Sequence, residues 1–158
     1  MAERRMSKRV YLAGPIEKRE DRQEYRDVLR NWLIEKGYEV YDPWLFEVPF
    51  LEGKGYAWKK DGDWVIDLSW REVPEFREKV VSDDMVAIRK SDAVVAYIPQ
   101  PVQGTAMEIF WANHDLNIPT FVIFTREKPS VWIFRFATKI YRTITEFKNS
   151  FERDFPNA

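Results

Sequence analysis

The sequence contains no cysteine and one histidine, His114, in 158 residues. The first absence excludes disulfides, thiol nucleophiles, zinc–thiolate sites and iron–sulfur ligation together. The second excludes a metal site of several imidazoles, and any Ser–His–Asp triad would have to turn on His114. An excess of either charge is also missing. Lys and Arg number 25 against 26 Asp and Glu, a net charge of -1, which offers no basic surface for a nucleic-acid polymer. No apolar run approaches the roughly 18 residues of a membrane span, and the charged N-terminus leads into an apolar stretch too short for a signal peptide. A soluble, cytoplasmic protein is expected. Aromatic residues at 16% and apolar residues at 45% describe a globular chain. Its length fits one domain, enough to bury roughly 70% of the unfolded surface. Carboxylates, hydroxyls and amides remain for chemistry, with neither a metal nor a cofactor called for.

The pattern alternates. Arg9 to Ala13 reads as a strand stopped by Gly14-Pro15. From Arg19 to Lys36 the period becomes helical, with Tyr25, Val28, Leu29, Trp32 and Leu33 on one stripe and Gly37 as the stop. Tyr38 to Tyr41 is a second strand ended by Asp42-Pro43, completing a βαβ unit with parallel strands. Residues 44–82 hold four of the seven tryptophans and little periodicity. They read as a long aromatic insertion, a lid or substrate loop with a short hairpin or helical piece. A short helix is expected over Asp84 to Lys90, with Met85 and Ile88 inward, and a buried strand over Ala93 to Ile98. Beyond it come a helix at Thr105–Leu116, a strand at Thr120–Phe124, a helix at Ser130–Ala137, a fifth strand at Ile140–Ile144 and a closing helix at Glu146–Phe155. This alternation predicts a single three-layer α/β domain.

Ligands of open parallel sheets sit beyond the carboxyl ends of the strands. Three such ends carry small or polar residues: Gly14-Pro15-Ile16, Asp42-Pro43 and the loop from Gln100 to Thr105, which includes Gly104. The last leads to Glu108, and two readings of that residue stay open. Thr105 and Glu108 match a capping box, S/T-x-x-E. Equally, a carboxylate held ionised at a helix N-terminus could attack an anomeric carbon. Asp83 and Asp84 read as N-caps, Asp92 as a structural turn residue and His114 as a surface residue near a helix end. Gly53-Lys54-Gly55 lacks the spacing of a P-loop.

Three segments in order, Val10–Ile16, Asp84–Ala96 and Gly104–Glu108, resemble the nucleoside 2-deoxyribosyltransferase family, which includes the 2′-deoxynucleoside 5′-phosphate N-hydrolases. The resemblance spans about residues 9 to 125. It implies a flavodoxin-like fold with a five-stranded, mainly parallel sheet, and cleavage of an N-glycosidic bond through a covalent glycosyl-enzyme. Carried over by position, Glu108 falls on the nucleophile, Asp84 on the acid supporting proton delivery to the base, and Tyr11 on a residue lining the sugar site. Gly14 matches a glycine that lets backbone approach the ligand. The implied partners are a nucleoside or nucleotide, a free nucleobase and a second subunit of a homodimer or larger assembly, which completes the sugar site with a residue from around Ser130 and Trp132.

Four positions depart from the family pattern. Val102 stands where many members have Asp, and Phe110 where a Gly is usual. Pro15 and Glu17, in Gly14-Pro15-Ile16-Glu17, replace the Ser and Arg that serve the phosphate in the phosphate-binding members, and Glu17 repels a phosphate by like charge. The expected activity is therefore transfer from a 2′-deoxynucleoside to another base or to water. The alternatives are a deoxynucleoside monophosphate N-hydrolase, with Lys18, Arg19 or the insertion meeting the phosphate, and a nucleotide-binding sensor without turnover.

Overall fold

The computed structural model describes residues 7–15, 24–100, 102–126 and 128–157. In chain order the elements are β1 (Arg9–Ala13), α1 (Glu24–Glu35), β2 (Glu39–Tyr41), α2 (Trp44–Gly53), β3 (Ala57–Lys60), β4 (Asp63–Ile66), α3 (Pro74–Arg89), β5 (Ala93–Ile98), α4 (Gln103–Phe110), β6 (Thr120–Phe124), α5 (Val131–Phe136), β7 (Lys139–Tyr141) and α6 (Ile144–Asp154). Five strands form a parallel sheet in the order β2-β1-β5-β6-β7. With the separate β3–β4 hairpin set aside, this is the 2-1-3-4-5 order of a flavodoxin-like sheet, and the order in which the chain adds strands reverses between β1 and β5.

Alternation along β1 shows how the layers form. Val10 and Leu12 pack with Leu29 and Leu33 of α1 and Phe147 and Phe151 of α6. Tyr11 and Ala13 point to the other face, against Ile88 of α3, Ile109 of α4 and Ile133 of α5. Tyr11 thus belongs to the layer that carries Asp84 and Glu108. The expected helix stripe on α1 is partly corrected. Leu29 and Leu33 are buried, whereas Val28 is 44% exposed and Arg26 takes a fully buried place. Gly37 is the expected helix stop, with φ +90.

The segment after β2 is more regular than its sequence pattern. It forms α2, a hairpin, a 3₁₀ turn at Leu68–Glu72 and the first part of α3. The hairpin reverses at Asp61 and Gly62, both at positive φ, the geometry of a type I′ turn. Val48, Leu51 and Ala57 make a small core of their own, with Trp44, Trp64 and Trp70 packed against it. Asp83 and Asp84 are consequently not N-caps. The helix starts at Pro74, which places both in its middle.

Candidate active site

At the reversal between β1 and β5, a cavity of about 480 Å³ opens, well within the size range of small-molecule sites. Gly14 from the end of β1, Glu47 from α2, Trp70 from the 3₁₀ turn, Asp84 from α3 and Thr105 and Glu108 from α4 all line it. Topology thus gathers residues that are far apart in sequence.

The capping box at Thr105 does not form. Val102 is the N-cap of α4 and makes no side-chain cap bond, while Thr105 is buried inside the first turn. Glu108 therefore sits in the second turn, counted from Gln103. There the helix dipole is weaker than at the terminus, and the carboxylate is set among cavity-lining groups instead. The fully buried Tyr11 hydroxyl bonds with it. Burial, then the charges of Glu108 and Asp84, push the Tyr11 phenol well above its usual range, so it stays protonated and can donate. The expected single helix to Leu116 changes character after Phe110, with a π-helical turn over Trp111–Asp115. His114 lies on that turn, exposed, bonded to Asp115 at 2.7 Å.

Asp84 is the other unusual group. Burial raises its carboxyl most, and the negative charges of Glu47, Glu108 and Asp83 add to it, against the opposing charge of Arg26; the result is about 9. At neutral pH it is therefore an acid with a proton to give. Ile88 packs inward as expected, but Met85 is 41% exposed and faces the cavity.

The remaining sequence candidates separate. Gly14 lines the cavity, but the close approach there is internal: a Cβ would lie 2.2 Å from the Tyr25 hydroxyl, which itself donates to the Pro15 carbonyl at 3.1 Å. Gly104 faces the cavity with open space around its Cβ position. Ile16 lies outside the described residues, as do Glu17, Lys18 and Arg19. Asp42 is 1% exposed and is not among the cavity-lining residues. Its oxygens accept from Arg26 at 2.7 Å and Arg30 at 2.6 Å, and from the Trp44 amide at 3.1 Å. That cluster ties α1 to the start of α2, while Arg26 also donates to the Gly14 carbonyl at 2.9 Å. Asp42→Ala should destabilise the fold by about 3–5 kcal/mol, because it leaves the buried Arg26 charge uncompensated. Urea unfolding measures it. Asp92 has the expected structural place, exchanging bonds with the Arg9 backbone at 2.8 Å in both directions.

Sequence reasoning missed Glu47, Trp70 and Met107, all at the cavity wall. Glu47 had a findable signal. Val48 and Leu51 are spaced i, i+3 just after Pro43, and that helical stripe carries Glu47 beside it. Among the described residues no group of three or more His, Asp or Glu is placed to hold a metal ion. Nor is any helix among them long and apolar enough to cross a membrane.

A flavodoxin-like sheet with carboxyl groups gathered at its reversal point defines a class of small-molecule α/β proteins. The particular family is given by the sequence. The model described as nucleoside 2-deoxyribosyltransferase matches residues 10–140, and the chain belongs to that family, whose members are N-glycosyl transferases and hydrolases acting on small nucleosides and nucleobases. Among solved structures, the fold is similar to a 2-deoxyribosyltransferase from Bacillus psychrosaccharolyticus (TM-score 0.66, 19% identity, 89% of this chain and 90% of that one). It is similar also to the CMP N-glycosidase BcmB of Clostridium botulinum (TM-score 0.52, 21% identity, 92% and 99%). A third is a 2-desoxiribosyltransferase from Leishmania mexicana (TM-score 0.57, 16% identity, 92% and 97%). No curated protein matches the sequence.

Proposed function

We propose that the protein cleaves the N-glycosidic bond of a 2′-deoxynucleoside and passes the sugar to another base, or to water. The observation that carries this reading is the sharing of one cavity by Glu108, bonded to Tyr11, and Asp84, whose carboxyl burial and neighbouring negative charges raise to about 9. Glu108 attacks C1′ as the C1′–N bond breaks, and the bond's electron pair leaves with the base. Asp84 gives the departing nitrogen its proton. In the second half the incoming base or water attacks C1′, returns a proton to Asp84 and frees Glu108, with net retention. Tyr11 holds the Glu108 carboxylate in place for both steps. No cofactor enters this sequence of events.

A nucleoside fits the wall better than a monophosphate. Among the described residues that line the cavity none is Lys, Arg or His, and Leu51, Ile66, Val80, Ile88 and Trp111 make much of its surface apolar. A phosphate placed there would be desolvated beside carboxylates. Incubation with deoxynucleosides, their 5′-monophosphates and a free base, followed by a search for new glycosides, tests the reading. New nucleosides support it. Release of base from monophosphates alone supports the N-hydrolase, and binding without turnover supports a sensor.

The same reading includes a homodimer. Val131, Trp132 and Phe134 of α5 are 75%, 67% and 54% exposed. Phe136 joins Trp132 to Phe110 through ring contacts at 6.1 and 4.8 Å, so this apolar face runs on to the cavity rim at Met107 and Phe110. A second copy seated there would cover the patch and close the mouth of the cavity. Light scattering over a dilution series should give a dimer mass, with activity falling as the dimer dissociates. A dilute monomer with full activity would remove both the assembly and the shared site.

A further inference from the structure

Glu47 belongs to two cavities. It lines the large one with Asp84 and Glu108, and it also lines a smaller one of about 200 Å³ between α2 and α3. Asp84 and Val80 line both as well. These side chains therefore form the partition between the two spaces. The smaller cavity is rimmed by Lys79 and Asp83, which pair at 2.7 Å and are half exposed. Lys79 and Asp83 thus face the small cavity that both Glu47 and Asp84 line, while the wall of the large cavity around the same two carboxyls is mostly apolar.

Two carboxyls in such a place cannot both be ionised without a large repulsive cost, and the better solvated one keeps its charge. Lys79 shares the small cavity with both carboxyls and pairs with Asp83, so it favours neither, whereas burial and the neighbouring charges raise the Asp84 carboxyl strongly. Asp84 is the member left to carry the proton.

We propose that Glu47 is a positioning residue for Asp84: beside it in both cavities, the ionised Glu47 carboxylate holds a proton on the Asp84 carboxyl, which keeps that proton where it faces the substrate cavity. Its meaning for catalysis rests on the N-glycosidic reading above. When Asp84 gives its proton to the departing base, the pair becomes doubly negative, and that repulsion draws the proton back from the incoming base or water. The groups that bear on Asp84 come from every neighbouring element. They are Tyr11 of β1, Tyr41 of β2, Arg26 of α1, Glu47 of α2, Glu108 of α4, and Asp83 on its own helix. Arg26 opposes the effect and is itself bonded to Asp42 at 2.7 Å, while Glu47 is the largest of the charges that favour it.

Carboxyl ¹³C titration of Asp-labelled protein tests the pairing without substrate, with the Asp84 signal assigned by its loss in Asp84→Asn. The wild-type midpoint is expected near 9. In Glu47→Gln, which keeps the shape and removes the charge, it should fall by at least about one pH unit, a tenfold loss of proton affinity. Glu47→Asp keeps the charge and should hold the midpoint within about half a unit. The alkaline limb of kcat/KM should move down in parallel in Glu47→Gln. An unmoved midpoint in Glu47→Gln, or equal shifts in both variants, overturns the proposal even if nucleosides are turned over. A shifted midpoint in a protein that turns over no glycoside keeps the pairing and removes the N-glycosidic reading instead.

Discussion

Glu108→Gln is expected to lower turnover by at least ~1,000-fold, about 4 kcal/mol in barrier terms, with the fold unchanged. The argument begins with what Glu108 does not do. It caps no helix, since α4 begins at Gln103 behind Val102. Losing its charge therefore removes no structural bond from the helix start. The glutamine carbonyl can still accept from the Tyr11 hydroxyl, so the buried phenol keeps a partner. An amide oxygen, however, is a far weaker nucleophile toward C1′ than a carboxylate. The variant should also lower the Asp84 carboxyl, because Glu108 is one of the charges that raise it. Single-turnover rates together with thermal unfolding separate the two effects. Turnover within about tenfold of wild type would make Glu108 a packing residue and end the covalent mechanism.

What the sequence revealed and what it hid follow from how locally each feature is encoded. Ala93–Ile98 and Thr120–Phe124 match their expected bounds to the residue, since both are continuous β-rich runs buried on two faces. Glu108, Gly14, Gly104 and Thr105 stood out as candidates because strand ends and short motifs are local patterns, whereas Asp84 and Tyr11 became candidates only through the resemblance to the family. The failures are non-local. The Pro49 within α2 interrupts the helical signal, yet Val48 and Leu51 bury beneath Trp44, Trp64 and Trp70 and hold the helix. Tertiary packing overrides propensity there. Missing α2 meant missing Glu47. Asp42 was placed correctly at a strand end, but whether such a carboxylate faces a ligand or a cation depends on α1. Arg26 is buried beneath the stripe, where a charged residue would ordinarily be assigned to solvent. The Thr105–Glu108 spacing fitted a cap that the structure does not use, because α4 starts two residues earlier than Thr105.

Asp84→Asn should stabilise the protein while impairing the reaction, and the pH dependence of each distinguishes a working acid from a structural one. Burial and the charges of Glu47 and Glu108 lift the Asp84 carboxyl from 3.8 to about 9. The folded chain therefore keeps a proton that the unfolded chain releases between those values. The stability this provides is full below about pH 4, declines as pH rises and is gone by about 9. Asparagine is neutral throughout, so its advantage over aspartate is absent near pH 4 and grows toward the alkaline side. At pH 8 it should amount to about 1–2 kcal/mol, after allowance for the solvent that still reaches the site. Catalysis should move the other way, with a loss of roughly 10²–10⁴-fold for natural bases that need a proton to leave. With an activated leaving group that needs no proton, the loss should shrink to a few-fold. Unfolding midpoints at several pH values and rates on both kinds of substrate measure the two trends. Equal losses on both substrates would mean that Asp84 orients the base without protonating it, and a stability gain independent of pH would mean that its proton is not held by the fold.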